Sequence, residues 1–145
     1  MKLTRIDDLY RSEYFYLQAT DECYFLREYT ARRGFAESET NEIVHNIKKS
    51  PARRDRPEWH YKERDLKRVA HELKGALSPQ WMRTATLVPV PPSKVRTDPE
   101  YDDRLTRILR MMAEGTSIDV RELIVAKTTL APSLRELIFE QPRTC

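Results

Sequence analysis

ATLVPVPPSKVRTDPEYDDRLTRILR, from Ala85 to Arg110, is the stretch whose reading decides the fold. It opens on an apolar run of β type, Ala85–Val90. Pro89, Pro91 and Pro92 then close that run, because proline offers no N–H to a sheet ladder. A polar loop with Ser93, Lys94 and Arg96 follows. Asp98-Pro99 next reads as a helix start, with Asp98 as cap and Pro99 in the first helical position. Glu100, Asp102 and Asp103 fall in the first turn, where negative charge meets the positive end of the helix dipole. Leu105, Ile108, Leu109 and Met112 give that helix its apolar face, and Gly115 ends it. Strand, loop and helix in that order place a polar loop at the carboxyl end of a strand, where ligands bind in open α/β sheets. Leu123–Ala126 reads as a second buried parallel strand. A short helical segment is expected from Pro132-Ser133 to Phe139, with Gln141–Cys145 as a tail.

Upstream, the strongest pattern is a helix over Tyr61–Leu77. Leu66, Val69, Ala70, Leu73, Ala76 and Leu77 recur at helical spacing on one face. Ser78-Pro79 breaks it, and Trp81 and Met82 are expected to pack over the start of the following strand. Before it, Ser38 or Thr40 can cap a helix running to about Lys49, with Ile43, Val44 and Ile47 on its apolar face. Pro51 stops that helix, and Arg32-Arg33-Gly34 reads as a turn ahead of it. Residues 1–30 carry most of the aromatics, and the runs Tyr14–Leu17 and Glu22–Tyr29 read as a β-hairpin. Its aromatic side chains either pack across the strands or form a platform on which bases stack.

Composition narrows the chemistry. Charged residues make up 34% of the chain and apolar ones 39%, so the core is small or some apolar surface finds a partner. A net charge of +3 excludes a strongly basic molecule, and the local distribution of charge matters more. Three glycines (Gly34, Gly75 and Gly115) and no Gly-rich phosphate loop exclude the common nucleotide-binding motifs. Cys23 and Cys145 are too few for a disulfide framework or a cysteine metal site, and Cys23 reads as a structural thiol. His45, His60 and His71 lack partners at metal-ligand spacing, so no metal site is expected. No run approaches the length of a membrane span and no signal peptide is visible, so a soluble cytoplasmic protein is expected.

Charge concentrates between Lys48 and Arg68, where nine basic residues face four acidic ones. Lys48, Lys49, Arg53, Arg54, Arg56 and Lys62, with Trp59 among them, form the pattern of a phosphate-backbone binder. The same pattern also suits a solvated helix face after a polar loop. RNA or single-stranded DNA is the partner the first reading implies.

The run Thr86 to Lys94, TLVPVPPSK, resembles the first core strand and following loop of type I phosphoribosyltransferases, in particular the competence-associated branch. DPEYDDR, Asp98 to Arg104, is similar to the helix entry that follows. The resemblance covers about residues 85–135. It implies a central parallel sheet flanked by helices, and a reaction in which a nitrogenous base displaces pyrophosphate from phosphoribosyl pyrophosphate. It also implies that Ser93, Lys94 and Arg96 contact phosphate or pyrophosphate, and that Mg²⁺ joins if a partner completes the site. The family's acidic strand end and Thr/Gly loop, which hold the ribose and the 5′-phosphate, have no match in residues 111–145. Thr128-Thr129 has neither acids before it nor glycine after it.

The expected fold is α/β: an N-terminal β-hairpin and helices leading into an incomplete parallel sheet flanked by helices. Residues 1–84 form the hairpin and helical part with its basic loop, and residues 85–145 the first part of the core, together one compact domain. Three functions are open. One is a truncated, split or non-catalytic phosphoribosyltransferase-like component, inactive alone, whose sheet another polypeptide or a second copy completes. Another is a nucleic-acid-binding effector component of an antiphage complex, since proteins resembling this family act beside reverse transcriptases in bacterial retron systems. The last is a protein–protein adaptor. No catalytic residue is singled out.

Overall fold

The computed structural model describes residues 2–12, 14 and 16–129. It contains helices and two small two-stranded sheets, one antiparallel and one parallel, a mixed α/β arrangement. The long helix α3 spans Trp59–Ala76, starting two residues before the spacing predicts. The turn ahead of it supplies the first bonds: Trp59 N donates to Arg56 O and Tyr61 N to Glu58 O. Its end comes where Ser78 must turn extended ahead of Pro79. Ser78 then caps the short helix α4, Pro79–Thr84. Within α4 Met82 is buried, whereas Trp81 stays exposed rather than covering the strand.

Leu66 and Ala70 of α3 bury against Ile108 and Met112 of α5, Arg104–Ala113, and against Leu87. Val69, Leu73, Leu77, Leu109, Ile118 and Val120 surround that centre. Each large apolar side chain there contributes about 1.5–3 kcal/mol. The core is therefore one helix pair laid over a strand pair.

That strand pair is β3, Thr86–Leu87, and β4, Asp119–Val120. They run parallel, with Thr86 opposite Asp119 and Leu87 opposite Val120. Arg121 N extends the pairing with a 3.0 Å bond to Leu87 O. The expected strand Ala85–Val90 shrinks to two residues, because Pro89, Pro91 and Pro92 cannot donate to a ladder. The expected strand Leu123–Ala126 is absent. Pairing shifts to Asp119–Val120, and Leu123, Ile124 and Val125 lie beyond its end, more than half exposed.

Asp98-Pro99 does not open α5. Residues 98–100 form a turn, in which Asp98 Oδ1 accepts from Glu100 N at 2.9 Å, and 101–103 are irregular. The helix begins at Arg104, whose N–H donates to Asp102 Oδ1 at 3.2 Å. Asp102 is held in place by Lys62 of α3, 2.6 Å away, and so sets where the helix can start. Gly115, at φ 68°, follows its end as expected.

At the N-terminus, β2 (Tyr24–Phe25) falls inside the expected second hairpin strand, but its partner is β1, Thr4–Arg5, not Tyr14–Leu17. Asp7 caps the one-turn helix α1, Asp8–Arg11, and turn bonds follow from Tyr14 N to Arg11 O, Leu17 N to Tyr14 O and Asp21 N to Gln18 O. Phe15 lies outside the described residues, as do the expected 132–139 helix and the 141–145 tail with Cys145. Tyr14, Tyr16, Tyr24 and Tyr29 are exposed, and Cys23 is half-buried. Among the described residues no helix is long and apolar enough to cross a membrane.

Helix α2, Glu39–Ile47, is capped by Ser38, which accepts from Asn41 N at 3.1 Å. Buried Asn41 donates to Thr30 O and Gly34 O and accepts from Thr30 N, fastening the preceding turn onto the helix. A charge clamp ties three segments together. Arg27 forks onto Glu72 of α3 at 2.6 and 2.8 Å and reaches Glu39 of α2 at 3.0 Å. Arg68 bonds the same two carboxylates at 2.6 and 3.0 Å.

Hydrogen bonding from Arg27, ahead of that from Arg68, holds the Glu72 carboxyl at about 2, against an ordinary 4.5. A depressed folded value gives stability that is complete above the unfolded value and lost as pH falls toward the folded one. Between about pH 4.5 and pH 2 this single group should therefore cost on the order of 2–3 kcal/mol. Urea midpoints of Glu72→Gln should be lower near neutrality and fall less steeply through that acid window. An unchanged acid slope would remove the clamp from the account.

Candidate functional site

The chain leaves β3 through buried Pro89 and bends at Ser93 and Lys94. It meets the segment after β4 there, because the parallel pairing brings both carboxyl ends to one edge. The bend, Tyr101, and the stretch Glu122–Ala126 enclose a hollow of about 30 Å³. That is the volume of roughly one water molecule.

Two of the three sequence-predicted phosphate contacts are engaged by the protein's own carboxylates. Lys94 Nζ lies 3.5 Å from Asp98 Oδ2 and 3.4 Å from Glu100 Oε2. Arg96 pairs with Glu122, which Arg110 also reaches at 2.8 Å. Ser93 is half-buried in the bend. Thr129 locks the loop: its Oγ1 donates to Asp98 Oδ2 at 3.1 Å and accepts from Val95 N at 3.2 Å. The Glu100 N–H bond, first among several contacts, holds the Asp98 carboxyl below its ordinary value and so keeps it charged. In this corner the Lys94 ammonium is met by the carboxylates of Asp98 and Glu100.

The basic stretch divides into two kinds of cation. Lys62 was expected at a nucleic-acid surface, but it is fully buried. Its ammonium donates to Asp102 Oδ2 and to Lys49 O, both at 2.6 Å, and lies 4.9 Å from the centre of the Trp59 ring. Burial pushes its pKa down, and the Asp102 bond opposes that. Helical spacing explains the placement: Lys62 stands four positions before Leu66 and shares its inward face. Lys49 is half-buried, bonded to Asn46 Oδ1 and 5.4 Å from the Tyr61 ring, and burial lowers its pKa too. Trp59 is half-buried in the first turn of α3.

Arg53, Arg54 and Arg56 remain outward on the turn that begins at Pro51. Arg53 has only a 3.5 Å exposed contact with Glu58, and Arg54 lies 5.8 Å over Trp59. Among the described residues neither Arg54 nor Arg56 has a carboxylate partner. Lys48 is exposed, with its ammonium 5.7 Å over the Tyr29 ring.

Several residues that organise these sites went unnoticed in the sequence. Asp65 is fully buried beside Lys62 on α3, bonded by Asn46 Nδ2 at 2.7 Å and by Arg64 Nε at 2.7 Å. Asp102 read only as a first-turn acid, and Glu122 had no role. Each pairs across a long stretch of chain, which no local pattern encodes. No family model, curated protein or solved structure matches this chain.

The two kinds of cation should separate in stability measurements. Lys62→Ala leaves Asp102 and the Lys49 carbonyl without their buried donor, and should cost about 3 kcal/mol in urea unfolding. Arg54→Ala and Arg56→Ala should each change stability by less than about 0.5 kcal/mol. Equal effects would mean that Lys62 is not the buried anchor described here.

Proposed function

We propose that this chain supplies the phosphate-binding corner of a phosphoribosyltransferase-like assembly and does not turn over by itself. In this reading β3 and β4 are the beginning of a larger parallel sheet flanked by helices, which another polypeptide or a second copy completes. The observation that carries it is the position of Lys94, in a bend at the carboxyl end of a parallel strand pair. Phosphate oxygens are the chemical class such an ammonium receives in an α/β fold.

The corner's ion pairs are partly exposed and longer than 3.3 Å at Lys94. Pairs of this kind contribute about 0–1 kcal/mol. A pyrophosphate or 5′-phosphate group carries more negative charge than either carboxylate and can displace Asp98 and Glu100 from Lys94. The hollow is too small for a phosphoryl group as it stands, so binding includes an outward shift of the Ser93–Asp98 loop. Exposed Leu123, Ile124 and Val125 beside the corner support the completing partner, since an apolar run at an open edge gains by being covered.

Magnesium fits this corner poorly. Asp98 and Glu100 both sit on Lys94, and among the described residues no three acidic, histidine or cysteine side chains converge. No step here passes through a metal. The ribose and 5′-phosphate contacts are unassigned in this chain, so the positioning that drives transfer is missing from it alone.

Titration calorimetry with inorganic pyrophosphate tests the corner. Lys94→Ala should weaken binding about tenfold. Glu100→Gln should tighten it several-fold, because a competing carboxylate is gone. Binding that Lys94→Ala leaves intact would sink the proposal, and steady-state turnover of phosphoribosyl pyrophosphate by the purified chain would overturn its non-catalytic part.

A further inference from the structure

A second surface shares no lining residue with the phosphate corner. Between α2 and the start of α3 an open hollow of about 300 Å³ is bounded by Phe35, His45, Asn46, Lys49, Glu58 and Tyr61. That is the low end of the range for small-ligand sites, on the scale of one nucleotide. Phe35 is half exposed and meets His45 edge-on, with ring centroids 5.5 Å apart, which leaves ring surface available. Tyr61 is already flanked by His60 at 3.9 Å, by Lys49 and by Arg64. It stiffens the wall rather than offering a free face. Glu58, on the rim of the hollow, carries the contact to Arg53, so the hollow and the arginine turn form one continuous surface.

We infer that this surface binds single-stranded nucleic acid, with one unpaired base in the hollow against Phe35 and the backbone phosphates along Arg53, Arg54 and Arg56. Among the described residues Arg54 and Arg56 are held by no carboxylate, and Arg53 has only an exposed 3.5 Å contact with Glu58. Such guanidinium forks are open to phosphate oxygens, whose geometry they match. An aromatic-lined concavity suits an unpaired base, which every single strand presents and a duplex conceals. An acidic protein surface would satisfy the arginines but leave the hollow empty. Neither Trp59 nor Lys62 takes part: Trp59 lies under Arg54 and over Lys62, and Lys62 is buried. The surface therefore reads backbone charge and one base's face, not sequence.

Fluorescence anisotropy of the full chain tests this, using labelled 12-mers of oligo(U), oligo(dT) and a mixed-sequence DNA duplex. Both single strands should bind, and more tightly than the duplex. Three phosphate contacts predict that affinity drops about 20-fold between 50 and 200 mM salt. Arg53→Glu/Arg54→Glu/Arg56→Glu should abolish binding and flatten the salt dependence, and Arg54→Gln/Arg56→Gln should weaken it without charge reversal. Phe35→Ala should weaken single-strand binding about tenfold and erase the preference over duplex. Oligo(U) against oligo(dT) separates RNA from DNA as the source of the strand. Lys94→Ala should leave all of this unchanged, which keeps the test separate from that of the phosphate corner. Circular dichroism melts should match wild type, because these four side chains are exposed. No binding at low salt, binding that survives the triple reversal, or duplex binding as tight as single-strand binding would each overturn the inference.

Discussion

Two charges of opposite sign, Lys62 and Asp65, sit fully buried on adjacent turns of α3, and the structure is arranged around giving each a partner. An unpaired buried charge costs several kcal/mol, so a fold that buries one must deliver its counterpart. Lys62 draws Asp102 and the Lys49 carbonyl. Asp65 draws Asn46 and Arg64. Apart from Arg64, which lies on α3 itself, these partners come from α2, from the turn after it and from the approach to α5. Three segments are therefore positioned by one face of one helix. Such pairs add little net stability against apolar replacements, and their effect is on where things go.

The same logic extends along α3. Glu72 gathers Arg27 and Arg68, and Glu63 takes the fork of Arg107 from α5, 3.1 Å on one arm. The apolar centre lies between these polar anchors and is made by Leu66, Ala70, Leu87, Ile108 and Met112. A small core supplemented by partly buried ion pairs fits a chain that is 34% charged and 39% apolar. The N-terminal strand pair is extended by the Ile6 N–H bond to Cys23 O at 2.9 Å and adds the buried Ile6 side chain, while Arg27 just beyond β2 ties the same segment to α2 and α3.

Function follows from which cations this network consumes. Lys62 and Lys49 serve the interior. Lys94 and Arg96 hold their own loop through Asp98, Glu100 and Glu122. Among the described residues Arg54 and Arg56 are held by no carboxylate. The basic run between Lys48 and Arg68, uniform in the sequence, is thus two kinds of cation in the folded chain, and Lys94 and Arg96 form a further paired set outside it.

Local chemistry alone determined much of this protein. The period of Leu66, Ala70 and Leu73 places α3, Ser38 caps α2, and the prolines after Val88 stop β3. Each follows from backbone geometry or hydrogen bonding within a few residues. The polar bend at Ser93 and Lys94 after a strand was legible for the same reason. Tertiary structure decided what depends on distant partners. Thr4–Arg5 took the strand expected at Tyr14–Leu17, and Asp119–Val120 took the pairing expected at Leu123–Ala126, because register is settled by what lies opposite. The start of α5 moved to Arg104 because Asp102 answers a lysine forty residues earlier. The burial of Lys62 and the engagement of Lys94 belong to the same class. A charge's availability depends on the counter-charge that folding brings to it, and that pairing is not written in its neighbours along the chain.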